Sequence, residues 1–249
     1  MLLLVHGFAE HSGRYEHVGA WFAARGCAVH AYDHQGHGRS DGRRGHVRRF
    51  ADFLDDLEDV LAAVRAEHPG LRPHLVGHSM GALIVSAGLC ERELEVASAA
   101  TSGALLAIGE NFSQARIIAA RVLRRIAPRL SLAAGLDPQG LSNDPAVARA
   151  YLDDPLVFAK MTSSLAVELM DAVARTASSA ARVRAPLLML HGEADPLCPV
   201  EGTRRFFAGL AVEPRRLQTY PGLRHEIFNE PEQARVFEDV YAWLQASAR

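Results

Sequence analysis

At 249 residues and 49% hydrophobic, the chain can bury one large core, with length to spare for an inserted subdomain, and its formal charge of -2 argues against nucleic acid as the main partner. Cys27, Cys90 and Cys198 form no CxxC pair and no metal-ligand spacing, so neither a disulfide framework nor a zinc site is expected, and a reducing, cytoplasmic compartment is the simplest reading. The N-terminal MLLLVHG has too short an apolar run for a membrane span and lacks the basic start of a signal peptide, so a soluble protein is expected.

The run from Leu2 to Val5 stops at His6-Gly7, as a buried parallel strand would. Tyr15, Val18, Trp21 and Phe22 then recur at helical spacing, and CAVHAYD (27–33) predicts the next strand. Phe50, Phe53, Leu54, Leu57, Val60, Leu61 and Val64 trace a long amphipathic helix. PHLVG predicts a strand, MGALIVSAGLC a helix and VASAATSG another strand. Later, APLLMLHG (185–192) and RRLQTY (215–220) predict strands on either side of a helix through Phe206 and Phe207, and a last helix runs to Trp243. Strands alternating with helices imply an α/β fold with a mostly parallel sheet covered on both faces.

One stretch breaks the alternation. Between about Ser102 and Pro186 the pattern is mostly helical, cut by Pro128, Pro138, Pro145 and Pro155. A connection that long inside a compact sheet is unusual, which predicts a helical cap at 106–180 inserted into a core of 1–105 and 181–249. Its first segment, NFSQARIIAARVLRRIAPRL, places Arg121, Arg124, Arg125 and Arg129 on one side and Ile117, Ile118, Val122, Ile126 and Leu130 on the other. The expected arrangement is a solvated basic face over a buried apolar one; the sharper alternative is a surface that meets a lipid interface, membrane or micelle.

The stretch LVGHSMGALI (75–84) carries the first chemical signal. In a G-x-S-x-G elbow the serine sits on a sharp strand-to-helix turn with its hydroxyl exposed, but such a pentapeptide arises by chance in about one chain in ten of this composition. Support comes from residues further along the chain. A serine needs a base and an orienting acid, in the chain order serine, acid, histidine. Only His191 and His225 lie beyond His78. His191 falls inside an apolar strand, whereas His225 comes just after the last strand, at the edge where loops of such sheets gather. Asp195, a few residues past the penultimate strand, is the best acid, with Glu193 as substitute. Two backbone amides complete the set as an oxyanion hole: Met80 at the start of its helix, and Phe8 in the loop after the first strand. His34, His37 and His46 lie in a glycine-rich loop that reads as a rigid structural loop rather than a metal site, and no metal or cofactor is expected.

HGFAEHSGRYEHV, DHQGHGRSDGRRGHV, GHSMG, HGEADPLCP and YPGLRHEIFNEPE together resemble the monoacylglycerol lipase family of α/β hydrolases, bacterial members above all. The resemblance spans nearly the whole chain and is weakest in the cap. It implies hydrolysis of monoacylglycerol to fatty acid and glycerol by an acyl-enzyme route, with Ser79, Asp195 and His225 as triad and the Phe8 and Met80 amides as oxyanion hole. It also implies a cap over an apolar acyl tunnel. Lysophospholipase and broad carboxylesterase activities share this machinery and stay open, as does a ligand-binding homologue without turnover. There are two departures from the family pattern. Ala82 stands where the family has a second glycine, and the two strands that the family carries before the first one here are expected to be missing, which would leave the strand at 27–33 as a sheet edge.

Overall fold

Alternate residues of the first strand feed opposite sides of the molecule. In β1 (Leu2–Val5), Leu3 and Val5 enter one apolar cluster and Leu2 and Leu4 another, as expected of a strand buried on both faces. The computed structural model describes residues 1–109 and 114–247. After β1 come α1 (Glu16–Ala23), β2 (Val29–Tyr32), α2 (Phe50–Glu67), β3 (His74–His78), α3 (Met80–Glu91) and β4 (Ser98–Ser102). The inserted stretch holds α4 (Gln114–Ile126), β5 (Ser131–Ala133), α5 (Pro145–Asp153), β6 (Lys160–Thr162) and α6 (Ser163–Ala177). The chain then returns through β7 (Leu187–Gly192), α7 (Val200–Ala208), β8 (Arg215–Tyr220) and α8 (Gln233–Ser247).

Six strands form one sheet in the order β2-β1-β3-β4-β7-β8, and every pairing in it is parallel. Phe50, Phe53, Leu57, Leu83 and Phe206 pack one face, from α2, α3 and α7; Phe22, Phe237, Val240 and Trp243 pack the other, from α1 and α8. The helix α3 is apolar all round because it is buried all round, from Met80 to Cys90. Among the described strands β2 is an edge, with its side chains half-buried or exposed.

The inserted stretch departs from expectation in two ways. It contains a small antiparallel pair, β5 with β6, that helical periodicity gave no sign of. The first helix of the stretch, α4, also leaves its apolar side uncovered. Ile118, Val122 and Ile126 are 60%, 52% and 74% exposed, so the apolar side that should have been buried faces solvent. The reason lies on α6. Arg121 pairs with Asp171 at 2.7 Å and Arg124 with Glu168, and Glu168 also accepts the Phe50 NH at the start of α2 at 2.7 Å. These acids hold Arg121 and Arg124 against α6 while Arg125 and Arg129 stay exposed, and Ile118 and Ile126 are left outside.

The crossing of α3 over β1 is the tightest joint of the core. A methyl group on Gly81 would lie 2.0 Å from the Val5 carbonyl oxygen and 2.4 Å from that of His6. The strand–helix turn itself has no room at Gly77, where a methyl would meet the Gly81 oxygen at 2.7 Å. Ala82, by contrast, is fully buried with its methyl accommodated. Overpacking costs about 1–3 kcal/mol and more where backbone must move. Gly81→Ala should therefore lower the unfolding midpoint by several degrees, read by thermal denaturation, with ester turnover falling alongside.

Candidate active site

Ser79 sits between β3 and α3 with φ 54° and ψ -115°, a left-handed backbone rarely taken by a residue with a side chain and worth about 1–3 kcal/mol of strain. Its neighbours hold it there. The Ser79 NH donates to the Ser102 carbonyl at 2.9 Å, and its own carbonyl accepts from Leu83 and Leu105. The consequence is that the hydroxyl leaves the sheet instead of packing into it.

The structure brings the three candidates together. His225 Nε2 lies 3.0 Å from Ser79 Oγ, and His225 Nδ1 lies 2.7 Å from Asp195 Oδ2. A neutral imidazole protonated on Nδ1 donates to the carboxylate and accepts the serine proton on Nε2, the tautomer that nucleophilic catalysis requires. The Asp195 side chain is fully buried, and its other oxygen accepts the Leu197 and Cys198 amides at 2.8 and 2.9 Å. Burial works to raise its pKa, but the partners win and hold it well below the usual carboxylate range. For His225, burial works to lower the pKa; Asp195, by charge and hydrogen bond, outweighs it, and the result is raised above the ordinary value.

The two candidate amides flank this serine. A methyl on Gly7 would come 3.1 Å from the Ser79 Cβ, so the loop that carries Phe8 passes directly against it. No acceptor among the described residues takes the Phe8 or Met80 NH, which leaves both donors for a ligand oxygen. Glu193, the alternative acid, is not in the site: its carboxylate accepts the Thr219 hydroxyl at 2.7 Å and pairs with Arg204 at the surface.

Several supporting residues carry no sequence signal of their own. His191 is fully buried behind the acid, with Nε2 donating to the Cys198 carbonyl at 2.9 Å and lying 3.2 Å from Asp195 Oδ2. It therefore does more than end a strand. Arg14 spans two buried carboxylates, Glu10 at 2.6 Å and Glu226 at 2.7 Å. Glu10 in turn accepts the Gly7 NH at 2.5 Å and the Tyr15 hydroxyl at 2.7 Å. One guanidinium thus ties the loop of Phe8 to the loop of His225. Burial raises the Glu10 pKa, while Arg14 overcomes the same burial at Glu226 and lowers it. Glu230 anchors the inserted stretch to the same loop by accepting from Ser142, Asn143 and the Arg224 NH.

The histidine-rich loop is spent on packing. His34 Nε2 donates to the His6 carbonyl, His37 Nδ1 to that of Gln35, and His46 turns instead to Thr162. Burial lowers His34 to about 3 and His37 to about 4, so both stay neutral. Cys198 lies close enough to Asp195 and His225 for the three to form a possible ligand set, yet burial pushes its thiol well above the ordinary value, which keeps it from acting as a thiolate.

This fold and this geometry define an α/β hydrolase equipped for serine chemistry. A family model described as serine aminopeptidase, S33, matches residues 1–232, and the chain belongs to that family. It is similar to a monoacylglycerol lipase of Mycolicibacterium smegmatis, 39% identical over 98% of this chain and 87% of the relative. A human monoglyceride lipase is 32% identical over 98% of this chain and 82% of its own. Among solved structures, the monoacylglycerol lipase of Paleococcus ferrophilus superposes with a TM-score of 0.92 at 34% identity, covering 99% of this chain and 94% of that one.

The raised His225 pKa has a pH signature. With His225 as the candidate base, turnover calls for the unprotonated ring, so the acid limb of kcat/KM should have its midpoint above the ordinary histidine value of about 6.5. Asp195→Asn removes the charge that raises it and leaves burial, which lowers it. The limb should then move to lower pH while kcat falls by about 10⁴-fold; a limb that stayed in place would separate His225 from the reaction.

Proposed function

We propose that the protein hydrolyses carboxylic esters of lipids through an acyl-enzyme on Ser79, with monoacylglycerol as the leading substrate. The observation that carries this reading is the unbroken chain from Ser79 through His225 to the buried Asp195, at 3.0 and 2.7 Å, in a chain similar to monoacylglycerol lipases. Ser79 Oγ attacks the acyl carbon as His225 Nε2 takes its proton. The carbonyl oxygen becomes an oxyanion held by the Phe8 and Met80 amides, where losing one donor costs about 3–4 kcal/mol of barrier. His225 then passes the proton to the departing glycerol oxygen, and the C–O bond breaks. Water, deprotonated by the same ring, attacks the acyl-enzyme and releases the fatty acid. Asp195 keeps the ring in the productive tautomer and stabilises the imidazolium.

The inserted stretch at 106–180 is the cap in this reading, and the outward side of α4 is where it meets lipid. No described helix is long and apolar enough to cross a membrane. Ile118, Val122 and Ile126 instead form an apolar strip suited to lying in an interface, each contributing about 1.5–3 kcal/mol when fully removed from water.

Ser79→Ala should abolish release of fatty acid from 1-monoacylglycerol while leaving the unfolding midpoint near wild type, and 1-monoacylglycerol should be turned over faster than lysophosphatidylcholine or short p-nitrophenyl esters. Activity surviving in Ser79→Ala would remove the assignment, and a preference for lysophosphatidylcholine would move the substrate. For the cap, Ile118→Ser with Ile126→Ser should weaken co-sedimentation with lipid vesicles at least tenfold while a water-soluble ester is hydrolysed at the original rate; unchanged sedimentation would contradict contact through α4.

A further inference from the structure

The pair His30 and His68 takes no part in the site described above. His30 lies on the edge strand β2, and His68 is the residue that follows α2. Their Nε2 atoms face each other at 2.9 Å, with ring planes at 75°. Glu67, the last residue of α2, places a carboxylate oxygen 3.9 Å from His30 Nδ1 and is 66% exposed, while the His30 side chain is 24% exposed. One donor atom from each of the three residues lies within 4.8 Å of the other two.

Two facing imidazole nitrogens satisfy each other with a single shared proton, one donating and one accepting. A divalent cation in place of that proton uses both lone pairs. Two nitrogens bound at 2.0–2.1 Å around a tetrahedral ion stand about 3.3 Å apart, so the pair needs to open by only about 0.4 Å. The exposed Glu67 carboxylate is free to swing in as third ligand, and water completes the shell. Two imidazoles and one carboxylate suit ions of borderline softness, such as Zn²⁺, Ni²⁺ or Cu²⁺, rather than Mg²⁺ or Ca²⁺ with their preference for all-oxygen shells.

We propose that His30, Glu67 and His68 form a binding site for a divalent transition-metal ion that fastens the edge strand β2 to the end of α2. A bound ion stabilises the folded chain by mass action and closes the sheet edge against its neighbouring helix. The site is separate from Ser79 and stands whether or not the proposed ester hydrolysis is correct.

Calorimetric titration of the purified chain with Zn²⁺, read together with ester turnover, tests this. The expected result is one Zn²⁺ bound, with affinity at least tenfold weaker in His30→Gln and in His68→Gln and with turnover of both variants unchanged in the absence of metal. At a hundredfold excess over its dissociation constant the ion should raise the unfolding midpoint of the wild type by roughly 5 °C or more, and raise that of the variants by about half as much or less at the same concentration. Absence of binding up to millimolar Zn²⁺ would overturn the proposal. So would an affinity unchanged in both histidine variants, because Zn²⁺ held by Asp195, Cys198 and His225 would survive these substitutions and inhibit turnover. Should either histidine variant prove unstable without metal, Glu67→Gln at its exposed position decides: weakened binding supports the site and unchanged binding overturns it.

Discussion

A methyl group cannot be placed between Gly81 and the carbonyl of Val5, and the rest of the site depends on that closeness. It lets α3 cross β1 at backbone contact, which fixes where the helix begins and forces the turn at Ser79 into its left-handed conformation. A serine packed in an ordinary strand–helix connection would keep its hydroxyl among core side chains. Here the strain, about 1–3 kcal/mol, is held by backbone hydrogen bonds with Ser102, Leu83 and Leu105 and by the apolar burial of α3 on every side. The same turn places the first amide of α3 beside the hydroxyl, so the candidate nucleophile and a candidate oxyanion donor share one local constraint.

The charges around that turn push two neighbouring histidines in opposite directions. His225 rests on an ionised, desolvated aspartate and is raised. His78, its ring 4.7 Å away, is lowered to about 3 by burial and by His225 itself, and so does not compete for the proton. Glu10 and Glu226 would repel each other across the same space without Arg14 between them. Removing one partner from a buried arrangement of this kind costs about 3–5 kcal/mol, because it leaves the other charge buried and uncompensated. Ordering of the loops and tuning of the base therefore come from the same buried ions.

Much of this was legible in the sequence because it rests on short-range rules. Parallel strands buried on both faces leave continuous apolar runs, as in Leu2–Val5 and Leu187–Leu190, and the elbow announces itself by glycines at 77 and 81. The order of Ser79, Asp195 and His225 along the chain pointed to the same three residues that the fold brings within hydrogen-bonding distance. What escaped is what depends on tertiary partners. The outward turn of α4 could not be read from its own amphipathic pattern, because the pattern says that one side is apolar and not which side has acids waiting on α6. The three-residue strands β5 and β6 are too short to show a period of two. Arg14, Glu10 and Glu226 carry no local pattern that marks them as partners, because only the folded loops bring them together, and His191 gave no sign that it would stand against Asp195.

Activation of Ser79 by His225 is the central claim, and covalent trapping measures it most directly. A fluorophosphonate probe followed by intact mass and peptide mapping should give a single adduct per chain, on Ser79, and labelling should slow by at least a thousandfold in His225→Ala. An adduct on another residue, or a wild-type chain that stays unlabelled while folded, would contradict it.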